Sequence, residues 1–296
     1  MTCRKTQKYL FGYTEKFQKS SATVETLFEN GEFVTNDESK ANILNDFFAS
    51  VLKSEAPGEI NIPYLEEYKT EIEYLDITVE KVEDKMSVLK LYKGSGVDNI
   101  HVNVLKKVKS LGEFLKDLFV HSLNSSLVPQ DWRDSNLTPL FKKLDRTSKL
   151  NYRPVALTSQ VCKLMERLIL DALWKHIEQN DLLTCHQHGF RKGCSCVTQL
   201  LECLNNWTSN FDEGYATDIL YLDFQKAFDT VPHKRLLYKL EKMGIKGRVL
   251  KWIKSWLTGR RQRVVLPGGV SKWVEVTSGV PQGSILGPPA LSPVHK

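Results

Sequence analysis

The run Asp218-Ile219-Leu220-Tyr221-Leu222-Asp223-Phe224 is short, apolar and β-prone, and a carboxylate bounds it at either end. Such a run predicts a buried strand. Elsewhere most apolar residues recur at helical spacing. They do so in Ala41, Leu44, Phe47, Phe48 and Val51, and again in Val79, Val82, Met86, Leu89 and Leu91. The same spacing predicts helices from Val102 to Leu123, from Val161 to Ala172 and from Thr198 to Trp207. Pro232 and Gly244 frame another helix, which carries Leu236, Leu237, Leu240 and Met243. Residues 137–154 read as short strands joined by a basic turn. Arg263–Leu266 and Trp273–Val276, separated by Pro267-Gly268-Gly269, read as a β-hairpin. Strands of this kind among helices predict an α+β fold, with helices packed on an antiparallel sheet.

Charge is unevenly spread. The net charge is +6, yet residues 25–85 carry −11 and residues 86–296 carry +13. A basic body behind an acidic segment favours a polyanionic partner. Between Lys246 and Arg263 there are seven bases and no acid, with Trp252 and Trp256 interleaved at i, i+4. The tryptophans read as core residues, and the bases as outward groups able to meet nucleic-acid phosphates. No apolar run approaches the ~18 residues of a membrane span. No signal-peptide core follows the basic Met1-Thr2-Cys3-Arg4-Lys5. These features predict an intracellular protein, nuclear or cytoplasmic, neither secreted nor membrane-spanning. The six cysteines are expected to be reduced thiols. Cys194-Ser195-Cys196 and His186-Gln187-His188 lack the two-residue gaps of structural zinc sites.

Asp223 at a strand end, a basic cluster upstream (Lys142, Lys143, Arg146, Lys149, Arg153) and the loop Ser278-Gly279-Val280-Pro281-Gln282-Gly283-Ser284 form a set suited to phosphates and a divalent metal. The string Tyr221-Leu222-Asp223-Phe224-Gln225-Lys226-Ala227-Phe228-Asp229-Thr230-Val231-Pro232-His233 resembles the first catalytic motif of jockey-like reverse transcriptases, those of non-LTR retrotransposons. Five further segments agree in order: Lys93–Asp98, Pro129–Arg133, Asn151–Leu157, Gln187–Gly193 and Ser278–Pro288. The resemblance covers about residues 90–288. It implies right-hand polymerase fingers (about 89–215) and a partial palm (about 216–288), after an acidic, helix-rich N-terminal linker over 1–88.

The resemblance also implies roles. Asp223 is similar to the palm's metal-binding aspartate, with two Mg²⁺ ions, or Mn²⁺, bridging the attacking hydroxyl and the nucleotide phosphates. Phe224 resembles the position whose backbone carbonyl also meets a metal. Phe228 resembles the steric gate that excludes a 2′-hydroxyl, with a core phenylalanine as the alternative. Arg153 resembles the arginine that grips the triphosphate. Lys142 and Lys143 lie on the same element, meeting triphosphate or template, or standing in water as turn lysines. Gln187, Gly189, Phe190 and Arg191 resemble the segment lining the template path. Gln282 and Gly283 resemble the loop touching nucleotide and template. Arg260, Arg261 and Arg263 are read as template or primer contacts. Asp229 reads as a cap of the Pro232 helix. The partners implied are an RNA template, a DNA primer and dNTP, with no membrane and no obligate protein partner.

The pattern is broken in one place. The family needs an aromatic-Ala-Asp-Asp motif after the Gln-Gly loop, and no Asp-Asp dipeptide occurs anywhere in this chain. Residues 289–296 depart from the family's apolar helix and read as an aberrant tail after a cut. A strand would also turn Asp218 to the face opposite Asp223. The expectation is therefore a reverse transcriptase fragment without polymerase activity of its own. The alternative is a non-catalytic RNA- or DNA-binding remnant.

Overall fold

The computed structural model describes residues 24–55, 58, 70–223 and 226–287. Its chain opens with strands β1 (Leu27–Glu29) and β2 (Glu32–Val34), paired antiparallel around Asn30 and Gly31. Both turn residues have positive φ, at 52° and 88°, which is the geometry an Asn-Gly turn adopts readily. Helix α1 (Asp37–Ala49) follows, its first turn capped by the Asn36 side chain. Helices α2 (Val79–Ser87), α3 (Val102–Lys107), α4 (Leu111–Ser125) and the single turn α5 (Gln130–Arg133) lead into β3 (Ser135–Phe141) and β4 (Tyr152–Leu157). The long α6 (Gln160–Gln179) and then α7 (Cys196–Asp212), α8 (His233–Lys242) and α9 (Gly247–Leu257) precede β5 (Arg260–Leu266), β6 (Gly269–Val270) and β7 (Val274–Val276).

In the main sheet β4 pairs antiparallel with β3, β3 pairs parallel with β5, and β5 pairs antiparallel with both β6 and β7. Alternation along β5 sends Arg260, Gln262, Val264 and Leu266 inward, and Arg261 and Arg263 outward. Leu137, Tyr152, Ala156, Val264 and Leu266 form a core with Ala41, Leu44 and Phe48 of α1. The acidic N-terminal segment thus shares a core with the basic body. Lys40 ties the two strands' end of α1 down: its buried Nζ donates to the carbonyls of Val24 and Glu25 at 2.6 and 2.9 Å and pairs with Asp37 at 2.8 Å. A second core gathers α2, α4, α6, α8 and α9 around Phe119, Leu164, Met165 and Ile169. Trp252 and Trp256 are buried in it, stacked with centroids 6.5 Å apart, as their spacing predicts.

Three expectations need correction. The sheet is mixed and not antiparallel, because β3 and β5, joined through α6–α9, run parallel. Residues 217–223 form no strand. Leu220, Tyr221 and Leu222 are each about 80 % exposed. An apolar strand needs a neighbour for its backbone N–H and C=O groups, and among the described residues no strand lies beside this one. The helix expected from Val102 to Leu123 is two helices. Val108 leaves the helical region at ψ 87°, and the apolar spacing runs on across the break. Residues 260–276 do form the expected hairpin, bent at 271–273.

Glu166 of α6 is fully buried, and its Oε2 accepts the backbone N–H groups of Ile285 and Leu286 at 2.7 and 3.1 Å. It is the leading favourable charge for Arg260, which is buried in the same core. Removing Glu166 would leave the two loop amides without their acceptor and Arg260 without its leading favourable charge. Glu166→Ala is expected to lower unfolding free energy by about 3–5 kcal/mol. Urea unfolding followed by circular dichroism checks this, and a loss below about 1 kcal/mol would contradict it.

Candidate active-site cleft

The loop from Ser278 to Gly287 is fastened at three points. At its start Gly279 N–H donates to the Val231 carbonyl and Val280 N–H to the Phe228 carbonyl, both at 2.8 Å. Gly279 has φ 78°, and a Cβ there would lie 2.5 Å from the Phe228 oxygen, so only glycine fits. In the middle, Ala156 N–H of β4 donates to the Gln282 carbonyl at 2.9 Å. At the end stands Glu166, whose carboxylate takes the two amides just described. Beneath β4, Gln160 Nε2 donates to the Gly94 carbonyl at 2.6 Å, and Gly96 packs directly on the backbone of Thr158 and Ser159. Segment 93–98 therefore buttresses the junction of β4 and α6.

The side chains converge on Asp229. Gln282 Nε2 donates to both its carboxylate oxygens, at 2.9 and 3.0 Å, and Ser278 Oγ donates to its carbonyl at 2.7 Å. Burial raises the Asp229 pKa, against the lowering effect of the Gln282 bond and of Lys226. Asp229 is thus an anchor for Gln282 and not a helix cap, which Pro232 provides in position for α8. His233 Nε2 meets the Gly279 carbonyl at 2.8 Å, and burial lowers its pKa. A narrow crevice of about 30 Å³ lies here between the sheet and the loop, lined by Pro154, Ala156, Asp229, Arg260, Gln262 and Gln282.

Phe228 packs against the larger core with its ring 6.2 Å from that of Phe190, edge to face. Phe190 is largely exposed at φ 60°. Its loop hangs on α7: His186 Nδ1 and His188 Nε2 both meet the Glu202 carboxylate, the second at 2.6 Å. Within it Gln187 Nε2 donates to the Gly189 carbonyl, and Arg191 to that of Thr184. The structure thus brings together Phe190, Phe228, Gln282 and Gly283, with Asp229 as an unforeseen partner. Arg153 is exposed on β4, and alternation turns it to the opposite sheet face from Ala156. Lys142 and Lys143 are exposed beside the β3–β4 turn.

Other expected residues lie apart. Asp223 is exposed in irregular chain, and Phe224 lies outside the described residues. Arg260 faces inward, a correction to its reading as a phosphate contact. Alternation of β5 puts it against α6 and near Trp256, and burial brings its pKa to about 10. Arg261 is exposed but bonded to Asp134, and Arg263 bonds Asn136. The residues present do not fit a pair of Mg²⁺ ions. Asp223 stands alone, and no group of three or more carboxylate, imidazole or thiol side chains gathers among the described residues. Glu166 and His233 escaped the sequence reading. The one available signal was an acid on the apolar side of α6.

The reverse transcriptase (RNA-dependent DNA polymerase) family matches residues 142–292, just over half of the chain, and the chain belongs to that family. Its similarities include enzymes of non-LTR retrotransposons. It is 29 % identical over 271 residues to a probable RNA-directed DNA polymerase from transposon BS of Drosophila melanogaster, covering 87 % of this chain and 29 % of the relative. It is 29 % identical over 218 residues to the RNA-directed DNA polymerase from mobile element jockey of the same fly, covering 73 % and 24 %. It is 33 % identical over 162 residues to the probable polymerase from transposon X-element, covering 54 % and 18 %. The chain spans less than a third of the length of these relatives.

Gly283 has φ 123°, and a Cβ would sit 2.7 Å from the Ala156 carbonyl oxygen. Gly283→Ala is expected to cost about 1–3 kcal/mol and to loosen the loop. Faster hydrogen exchange at Ala156 and Val280 would report it, and unchanged protection would refute it. A second test uses pH. A carboxylic acid whose folded pKa is raised contributes stability at low pH and loses it as pH rises through that pKa. Asp229→Asn, which keeps an acceptor for Gln282, should therefore gain in Tm on the parent chain as pH rises above the ordinary aspartate value of about 3.9. A Tm difference independent of pH would contradict it.

Proposed function

We propose that residues 89–288 are the fingers (about 89–215) and part of the palm (about 216–288) of a reverse transcriptase that copies RNA into DNA from dNTPs, with residues 1–88 as an acidic extension. One observation carries this reading. Three segments far apart in sequence, around Phe228, Ala156 and Gln282, are fastened to one another by backbone hydrogen bonds at a single cleft. Each belongs to a different stretch of the family resemblance.

On this reading Gln282, held at its amide by Asp229, and Phe228 meet the incoming nucleotide. Lys142 and Lys143 supply charge to its triphosphate from the β3–β4 turn, whereas Arg153, on the sheet face opposite Gln282, belongs to the arginine surface and does not reach it. Gln187, Gly189, Phe190, Arg191 and Gly283 border the template, and Arg261 and Arg263 present charge on the opposite sheet face. In the complete enzyme a pair of divalent ions would activate the primer hydroxyl and stabilise the leaving phosphate. This chain offers one exposed aspartate and no Asp-Asp pair for that task. It is read as a template- and nucleotide-handling part without chemistry of its own.

Primer extension by the purified chain on an RNA template, with dNTPs and Mg²⁺ or Mn²⁺, is expected to give no product. Extension that disappears in Asp223→Ala would overturn this. The same chain is expected to bind an RNA–DNA template–primer with affinity that falls steeply as salt rises. Salt-independent binding, or none, would sink the reading as a nucleic-acid-handling domain.

A further inference from the structure

Among the described residues, no helix packs across the face of the main sheet turned away from α1. That face carries Arg153 on β4, Asn136 and Thr138 on β3, and Arg261 and Arg263 on β5. Trp273, half-buried in the bend before β7, lies beside the last two. Its ring centroid is 4.5 Å from the Arg263 guanidinium and 5.1 Å from that of Arg261. The arginines are held in place. Arg261 gives Nε and Nη2 to the two carboxylate oxygens of Asp134 at 3.0 and 2.6 Å, and Arg263 gives Nε to Asn136 Oδ1 at 2.8 Å. Asp134 itself is buried. Glu275, opposite Arg261 on β7, is the exposed carboxylate here. Arg263 makes no ion pair with a carboxylate among the described residues.

An indole stacked with two held guanidinium groups has a definite ligand chemistry. Nucleobases stack on the ring or on the guanidinium, and the same cations meet the phosphates that link them. An acidic peptide would use the charges and have no use for the ring. A duplex keeps its base faces occupied by neighbouring bases. We propose that Trp273, Arg261 and Arg263 form a stacking platform for a single-stranded polynucleotide, on the sheet face opposite the Gln282 cleft. The contacts involve base faces and phosphates, so RNA and DNA strands bind alike. The proposal rests on the preceding reading only for the class of ligand, and adds Trp273 and a second surface to it.

The test is fluorescence anisotropy with the full chain and labelled oligo(U), oligo(dT), an abasic deoxyribose-phosphate strand of equal length, and a duplex. Trp273→Ala should weaken oligo(U) and oligo(dT) about tenfold and leave the abasic strand and duplex within about twofold. Trp273→Phe, which retains an aromatic face, should recover most of the loss and guards against a folding defect. Arg263→Gln should weaken all the single strands and lower the salt slope by about one. Equal losses for abasic and base-bearing strands on Trp273→Ala would overturn the platform. Polyglutamate competing in a Trp273-dependent way would overturn it also, by assigning the face to an acidic protein. If the parent chain binds no nucleic acid at all, the reverse transcriptase reading falls with it. If it binds and the Trp273 variants are neutral, only the platform falls.

Discussion

Glu166 gives up all contact with water, and the cleft is built around that fact. A bare carboxylate at such depth would cost several kcal/mol, so the folded chain must gather partners for it. It does so from three directions: the amides of Ile285 and Leu286, the thiol of Cys162 at 3.5 Å, and the charge of Arg260. These lie on the loop, on α6 itself and on β5. The end of the Gln282 loop is therefore fixed by electrostatics, its middle by β4 and its start by Phe228. The same carboxylate explains why Cys162 is held as a thiol, since burial and the nearby negative charge both push its pKa up.

The sheet divides labour between its faces. One is mostly apolar and packed on α1, with Leu44 and Phe48 over Leu137 and Val264, and Arg260 and Gln262 at its far end beside the Gln282 crevice. The other bears arginines, and among the described residues no helix packs across it. The unequal charge along the chain has no counterpart as a packing boundary. Acidic and basic stretches meet at Lys149 and Glu29, 2.5 Å apart, and at Gly268, whose N–H reaches Asp37 at 2.9 Å. Part of the acidic segment's negative charge is spent on the basic body's own surface, and what remains uncovered is the arginine face.

Periodicity made most helices legible, because a stripe such as Val161, Leu164, Met165, Leu168 and Ile169 has one reading. It could not show the break at Val108, where the apolar spacing continues but the backbone does not. The small hairpin carries an Asn30-Gly31 turn dipeptide, but its strands are only three residues each and no periodicity marks them. Asp218 to Phe224 misled because an apolar run states a need for burial and not the presence of a partner. At the site, the resemblance picked out Phe228, Gln282 and Gly283, and the structure brings their segments to one junction. It could not locate the Asp229 bond or the inward turn of Arg260. Those depend on which side of a strand faces a helix many residues away.

The exposed apolar groups have a colloidal consequence. Leu220, Tyr221 and Leu222 stand in solvent, and α7 shows Val197, Leu200, Leu201, Leu204 and Phe211 with no buried residue of its own. At low ionic strength the net charge of +6 keeps copies of the chain apart. Added salt screens that repulsion within about 10 Å at 0.1 M and leaves the apolar attraction intact. A salting-out salt such as sulfate strengthens it. The purified chain should therefore salt out early, and the low-salt buffers that keep it dispersed are also those in which its arginine face grips polyanions hardest.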